Sequence, residues 1–385
     1  MEGFLSAFEG IVEFHWEFLI MYAIGGVLIF LAISKNYEPM LLLPIGFGAI
    51  LVNLPLSMIW GTADSVGILQ QFYNTGILTE IFPVLIFVGI GAMTDFRPLF
   101  ATPKMIFFGA AAQFGIFFTI LAVLGMNNAF PSLGFDLKSA ASIGIIGAAD
   151  GPTSIVVASQ FAPQLLGPIS VAAYSYMALV PIIQPPIIRA LTSKKERKIR
   201  MEYNPSFEPP KWMMVLFPIV ITVLSAVIAP ISAPLIGMLM FGNLIKECGV
   251  LERLAKAAQN ELSNIVTLLL GITIGATMYY EQFLQWQTLI ILGLGLVAFI
   301  FDTAGGVLFA KLINVFSKKK VNPMVGAAGI SAFPMASRIV QRMATKEDPQ
   351  NFILMQAAGA NVAGQLGSVV AGGLVLSLVP MLLGA

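Results

Sequence analysis

Long stretches of this chain carry no charge at all, and that fixes its class. Windows free of Asp, Glu, Lys and Arg run from Phe18 to Ser34, Pro39 to Ala63, Ile81 to Thr94, Met105 to Phe135, Gly151 to Ile188, Trp212 to Ile245, Leu262 to Tyr280, Gln282 to Phe301 and Pro349 to Ala385. A helix crosses a bilayer with about 20 apolar residues, so several of these windows hold two helices or a broken one. Only 11% of the residues are charged, against about 25% in soluble domains, and the mean hydropathy is +0.87. A β-barrel needs alternating segments of about 10 residues, whereas these windows are uniformly apolar, so the expected class is an all-α polytopic membrane protein.

Other properties exclude rather than assign. A net charge of +1 gives no attraction for nucleic acid. Cys248 and His15 are the single cysteine and the single histidine, which rules out an intrachain disulfide and a zinc or haem site of the usual kind. Residues 1–17 carry four Glu and no Lys or Arg, so they read as an amphipathic N-terminal segment with no cleavable signal peptide expected.

Lysine and arginine mark the cytoplasmic loops. The strongest cluster, from Arg189 to Lys211, makes residues 193–211 a basic cytoplasmic linker between a first membrane repeat, 18–192, and a second, 212–385. The loop from Pro55 to Glu80 has neither Lys nor Arg. Placing the basic loops inside predicts helices near 18–34, 39–55, 81–95 and 105–125 in the first half. The second half follows with 212–230, 231–247, 262–280 and 287–310, running the opposite way. Three echoes recur in the same order: Phe47-Gly48 with Phe241-Gly242, Ile90-Gly91-Ala92 with Ile274-Gly275-Ala276, and Gly147-Ala148-Ala149-Asp150 with Gly326-Ala327-Ala328-Gly329. Two inverted-topology repeats, with about ten crossing helices and an elevator-type architecture, are therefore expected. If the segment after Val321 crossed fully, Arg338, Arg342 and Lys346 would lie outside; a re-entrant hairpin near 321–342 avoids this, and the repeat mirrors it near 140–160.

Asp150 is the only charged residue between Lys138 and Arg189. A carboxylate within hydrocarbon costs a few kcal/mol and persists where it faces a cavity, an ion or a partner. Its neighbours Gly151, Pro152, Thr153 and Ser154 break helices and expose oxygens, which suits a hard cation such as sodium. The second hairpin adds Asn322, Gly326, Ser331 and Pro334, and the last apolar stretch adds Asn361, Gln365 and Ser368. Asp302 is a second intramembrane carboxylate, read either as another ion ligand or as a solvated group nearer the cytoplasm. The basic linker is read as an orientation marker, with docking of a soluble subunit as the alternative.

With these motifs, the sequence resembles the beta subunit of sodium-translocating biotin-dependent decarboxylases, the oxaloacetate, methylmalonyl-CoA and glutaconyl-CoA decarboxylases. The Gly-Ala-Ala-Asp-Gly-Pro-Thr run is the signature. The resemblance implies that Asp150 is the central ligand for sodium and proton, with Asn322, Gly326, Ser331 and Asn361 also in the ion site. It implies that Tyr176 helps deliver a proton, with Tyr174 as the competing position, and that Arg338 is a functional arginine, read as meeting the carboxylate of carboxybiotin or else as a snorkelling, positive-inside anchor. It further implies a biotin carrier and a carboxyltransferase on partner subunits, a small gamma-type subunit, a homotrimeric core and a bacterial cytoplasmic membrane location. The chain has no biotin-attachment context of its own. The alternative function is a stand-alone secondary transporter, either a sodium/proton antiporter or a sodium-coupled organic anion carrier, which shares repeats and hairpins but not the signature.

Overall fold

The computed structural model describes residues 14–55, 59–61, 65–201 and 208–384. Most of the expected N-terminal amphipathic segment, 1–13, lies outside them. The described residues contain helices and no strand. The first half runs α1 (Trp16–Lys35), α2 (Pro39–Val52), α3 (Ile81–Met93), α4 (Pro103–Ala129, relaxed at residues 112–113), the short arms α5 (Leu137–Gly144) and α6 (Gly151–Phe161), and α7 (Leu166–Leu191). The second runs α8 (Lys211–Ile228), α9 (Ala233–Glu247), α10 (Ser263–Ala276), α11 (Trp286–Phe316), a turn of helix Met324–Ala327 leading to α12 (Met335–Glu347), and α13 (Leu354–Leu382).

The expectation of about ten crossings is not met by length. Six helices of the described chain are long and apolar enough to cross, or seven if the bent pair Ile68–Ile77 and Ile81–Met93 counts as one span. The shortfall lies in α2, α3, α9 and α10, with 14, 13, 15 and 14 residues. At 1.5 Å per residue each covers only about 20 Å. The 18-residue windows of α8 and α1 are only 17% and 28% buried within the protein, so both are peripheral, whereas α13 is 72% buried and threads the centre.

Where lipid removes the hydrophobic drive for helix association, small residues let backbones meet. The echoed glycines do this. A Cβ on Gly91 of α3 would sit 1.8 Å from the Leu239 carbonyl oxygen of α9, and one on Gly242 of α9 would sit 2.0 Å from the Val88 oxygen of α3. Gly48 of α2 and Gly275 of α10 are locked against each other in the same way. Each helix of an echo thus packs on the other half of the chain, α2 on α10 and α3 on α9, while α1 packs on α2 and α8 on α9.

The basic linker is tied to the second hairpin. Ser193 caps the short helix Lys194–Arg197 with a capping box closed by Glu196. Arg197, buried, bonds Glu347 Oε1 through Nε at 2.8 Å, and Arg200 makes a two-point pair with Asp348 at 2.8 and 3.1 Å. Asn322 at one foot of the hairpin and Asn351 just past the other both donate side-chain bonds to the carbonyls of Arg197 and Ile199.

Candidate functional site

The first hairpin turns where its sequence forbids a continuous helix. After α5 the chain tightens into a 3₁₀ turn, Ile145–Ala148, then Ala149 takes a left-handed conformation (φ 53°) and Asp150 is extended. A left-handed alanine costs about 1–2 kcal/mol, and strain of this kind gathers at functional sites. Pro152 has no N–H to return to a preceding turn, so α6 starts here with proline in its first turn. Asp150 caps that start.

The Asp150 carboxylate is 3% exposed and points at a wall of hydroxyls. Its Oδ2 accepts from Thr153 Oγ1 at 2.8 Å and from Ser368 Oγ of α13 at 2.8 Å, while its Oδ1 has only a long contact, 3.4 Å, from the Thr153 amide. Bonds to an ionised carboxylate contribute about 1.5–3 kcal/mol each, so Ser368 ties α13 to the hairpin tip. The second hairpin reaches the same place from the other half. The Ser331 amide donates to the Ala148 carbonyl at 3.2 Å, its Oγ donates to the Gly364 carbonyl at 3.0 Å, and Asn361 Nδ2 donates to the Ile330 carbonyl at 2.6 Å. Asn361 Oδ1 is buried and has no hydrogen-bond partner among the described residues. One face of α13, carrying Asn361, Gly364, Gln365 and Ser368, therefore touches both tips.

A cavity of about 520 Å³ leads to this point. Asp150, Gly151 and Tyr174 line its inner end, with Ser331 and Gln365 beside them. Exposed Met40, Met93 and Arg338 mark its mouth. Arg338 makes no side-chain hydrogen bond or ion pair with any described residue, so its guanidinium is available to an anion.

The candidate residues divide into two groups. Asp150, Ser331 and Arg338 share the cavity, and Asn361 bonds the carbonyl of Ile330, the residue before Ser331. Asn322 and Gly326 do not line it: the Asn322 amide holds the linker, and Gly326 packs against Gly306 of α11, where a Cβ would come within 2.0 Å of the Gly306 carbonyl oxygen. Tyr176 faces α11, with its hydroxyl on the Leu292 carbonyl. Tyr174 is the tyrosine at Asp150. Its ring fills the space a Gly151 side chain would take, and its hydroxyl, buried, has no hydrogen-bond partner among the described residues. Asp302 is 0% exposed, which excludes the solvated reading; its carboxylate packs against Gly115 and against Gly147 of the hairpin turn. Glu38, between α1 and α2, lines the cavity and carries no sequence motif that announces it.

Among the described residues no three His, Cys, Asp or Glu side chains cluster as a transition-metal site would require. What the tip offers is one carboxylate among hydroxyl, amide and carbonyl oxygens, a set suited to a hard monovalent cation or a proton.

Comparison with known proteins leads to the same place. The family model described as the Na+-transporting oxaloacetate decarboxylase beta subunit matches residues 17–379. The chain is 50% identical to the methylmalonyl-CoA decarboxylase subunit beta of Propionigenium modestum, over 94% of each chain. It is 50% identical to the glutaconyl-CoA decarboxylase subunit beta of Acidaminococcus fermentans, over 96% of each, and 47% identical to the oxaloacetate decarboxylase beta chain of Klebsiella pneumoniae, over 94% of each. With nearly its whole length matched, and with the signature aspartate at the tip of a buried hairpin, the chain belongs to the family of beta subunits of sodium-translocating decarboxylases.

Proposed function

We propose that this chain decarboxylates carboxybiotin presented by a partner subunit and uses the reaction to move sodium out of a bacterial cell. The observation that carries this reading is the cavity, with an unpaired guanidinium at its mouth and a hydroxyl-ringed carboxylate at its end. Arg338 presents a planar donor fork to a carboxylate at the membrane surface. Loss of CO2 from an N-carboxy group leaves a nitrogen that takes up one proton. Asp150 holds either a proton or a sodium ion, because neutralisation by one makes the other dispensable, and Thr153 and Ser368 orient its oxygens for both. Ser331 and Asn361 bring the second hairpin and α13 to the same point, where carbonyls and amide oxygens complete the shell. Asn322 and Gly326 serve that shell by anchoring the second hairpin. Tyr176 secures α7 to α11 beside it.

The glycine crossings support two inverted repeats. Echoed positions meet across the halves, and the elements of the two halves follow one order, down to a hairpin before the last helix of each. Such an arrangement puts an ion site at the midplane between hairpin tips and lets a hairpin-bearing body move against the peripheral helices in an elevator motion. The basic linker and the cavity mouth share the cytoplasmic side. The partners are a biotin-carrier and carboxyltransferase subunit and a small gamma-type subunit, around a trimeric core. The signature motif and the family separate this reading from a stand-alone carrier.

The test is Asp150→Asn in the assembled decarboxylase reconstituted in vesicles. The isostere keeps the cap and loses the charge, so sodium-stimulated decarboxylation and sodium uptake both disappear. Retention of either would overturn the assignment.

A further inference from the structure

Asp150 is not the only carboxylate on the cavity. Glu38 lies in the short turn between α1 and α2, half-buried, in a left-handed conformation (φ 35°) immediately before Pro39. Its carbonyl accepts from the Leu41 and Leu42 amides, but its carboxylate makes no hydrogen bond or ion pair with any described residue. Arg338 lines the same cavity and is equally unpaired, so the two charges stand apart across the space rather than neutralising each other.

Three further oxygens face this stretch. Ser263 and Thr267, one turn apart on α10, line the cavity, and neither hydroxyl has a partner among the described residues. The third is the Tyr174 hydroxyl, 1% exposed for the whole residue and unpartnered among the described residues, on the same cavity as Asp150 and Glu38. The helix register fixes the neighbourhood. α2 and α10 run parallel, with Gly271 against Leu41 and Pro44 and Gly275 against Ile45 and Ala49. One turn back along both helices, Glu38 stands level with Thr267.

We propose that Glu38, with Thr267, Ser263 and the Tyr174 hydroxyl, forms a waiting site for a monovalent cation between the cavity mouth and Asp150. The inference rests on the reading of Asp150 as the transport site and adds the step before it. An ion entering a low-dielectric cavity loses hydration, and a fixed carboxylate with neutral hydroxyls replaces part of it on the way. The opposed Arg338 disfavours a cation at the rest of the mouth, so the acidic side is the side the ion takes. Tyr174, which lines the cavity with both carboxylates, hands the ion inward by offering its oxygen to either position.

The experiment is sodium titration of decarboxylation by the assembled complex, with ²²Na+ uptake in vesicles as the second readout. Glu38→Gln raises the half-saturating sodium concentration about 5-fold or more while the rate at saturating sodium is kept. Glu38→Asp restores most of the loss, and Thr267→Val shifts half-saturation in the same direction by less. Met40→Leu, at the mouth without an oxygen, changes neither. Unchanged half-saturation in Glu38→Gln overturns the inference, as does a fall in rate that added sodium does not restore, which is what a purely structural turn residue would give. If Glu38→Gln does not assemble, Glu38→Asp and Thr267→Val decide, and normal half-saturation in Thr267→Val overturns the site. The outcome is separable from that of the parent reading: Asp150→Asn tests whether transport uses the inner carboxylate at all, and the Glu38 series tests only how the ion arrives.

Discussion

The two hairpins hold the same place in their halves and do opposite work with their polar atoms. The first keeps Asp150 free of any cationic partner, oriented by hydroxyls and open to a cavity. The second leaves Arg338 unpaired on its α12 arm but commits its tip and feet to protein: Asn322 to the linker carbonyls, the Ser331 hydroxyl and amide to Gly364 and Ala148, and Glu347 to Arg197. On the proposed reading, one order of elements yields one tip for ion chemistry and one for docking.

The largest expected effect tests the chemical side. Removing both hydroxyl donors to Asp150, in a Thr153→Val, Ser368→Ala pair, removes two charge-assisted bonds of about 1.5–3 kcal/mol each. Half-saturating sodium should rise by a factor of about 10 or more, and the melting temperature of the purified complex should fall as the tie to α13 is lost. A double variant that loses stability but keeps its sodium affinity would put the first hairpin on the docking side as well.

The docking side predicts the reverse pattern. Asn322→Ala leaves the Arg197 and Ile199 carbonyls with Asn351 alone, so stability falls by about 1–3 kcal/mol, read as a lower unfolding temperature, while the sodium titration of the surviving enzyme keeps its midpoint. The Asn322→Ala, Asn351→Ala pair should cost more than the sum of the two, because each amide covers for the other. If Asn322→Ala instead shifts the sodium midpoint with stability intact, Asn322 is an ion ligand and the contrast between hairpins fails.

How much of this was legible without coordinates follows the physics of each feature. Charge-free windows and basic loops located the long helices closely, as 287–310 against Trp286–Phe316 shows, because hydropathy is local. The same reasoning overcounted crossings: a window such as 39–55 reports apolar residues, not helical ones, and α2 stops at Val52, where Asn53 binds the Ala49 and Met278 carbonyls. A positive-inside conflict suggested a break near 321–342 and the echo a second near 140–160, and the helices do break in both places. Asp150 was legible because an isolated charge in a membrane stands out. Glu38 was not, since a glutamate in a loop after Lys35 looks solvated until α2 and α10 close over it. Tyr174 and Tyr176 could be told apart only by the fold: two residues apart on α7 they face about 200° apart, and only Tyr174 meets Gly151.

The smallest effect concerns the linker clamp, which lies outside the spanning helices. The Arg197 side chain bonded to Glu347 holds that carboxyl below its ordinary range, and Arg200 does the same for Asp348. A carboxyl whose folded value is depressed stabilises the structure above its unfolded value, near 4, and the contribution is lost as pH falls through the still lower folded value. The clamp is therefore intact at neutral and mildly acidic pH and opens only below about pH 4. Amide exchange over 194–201, corrected for the intrinsic rate, should accelerate there while exchange in α5 does not, and Glu347→Gln should show the acceleration already at pH 7. Protection of the linker unchanged down to pH 3 would mean that the Asn322 and Asn351 amides alone hold it. The second hairpin would then dock by neutral hydrogen bonds, and charge would set neither side of the contrast except at Asp150.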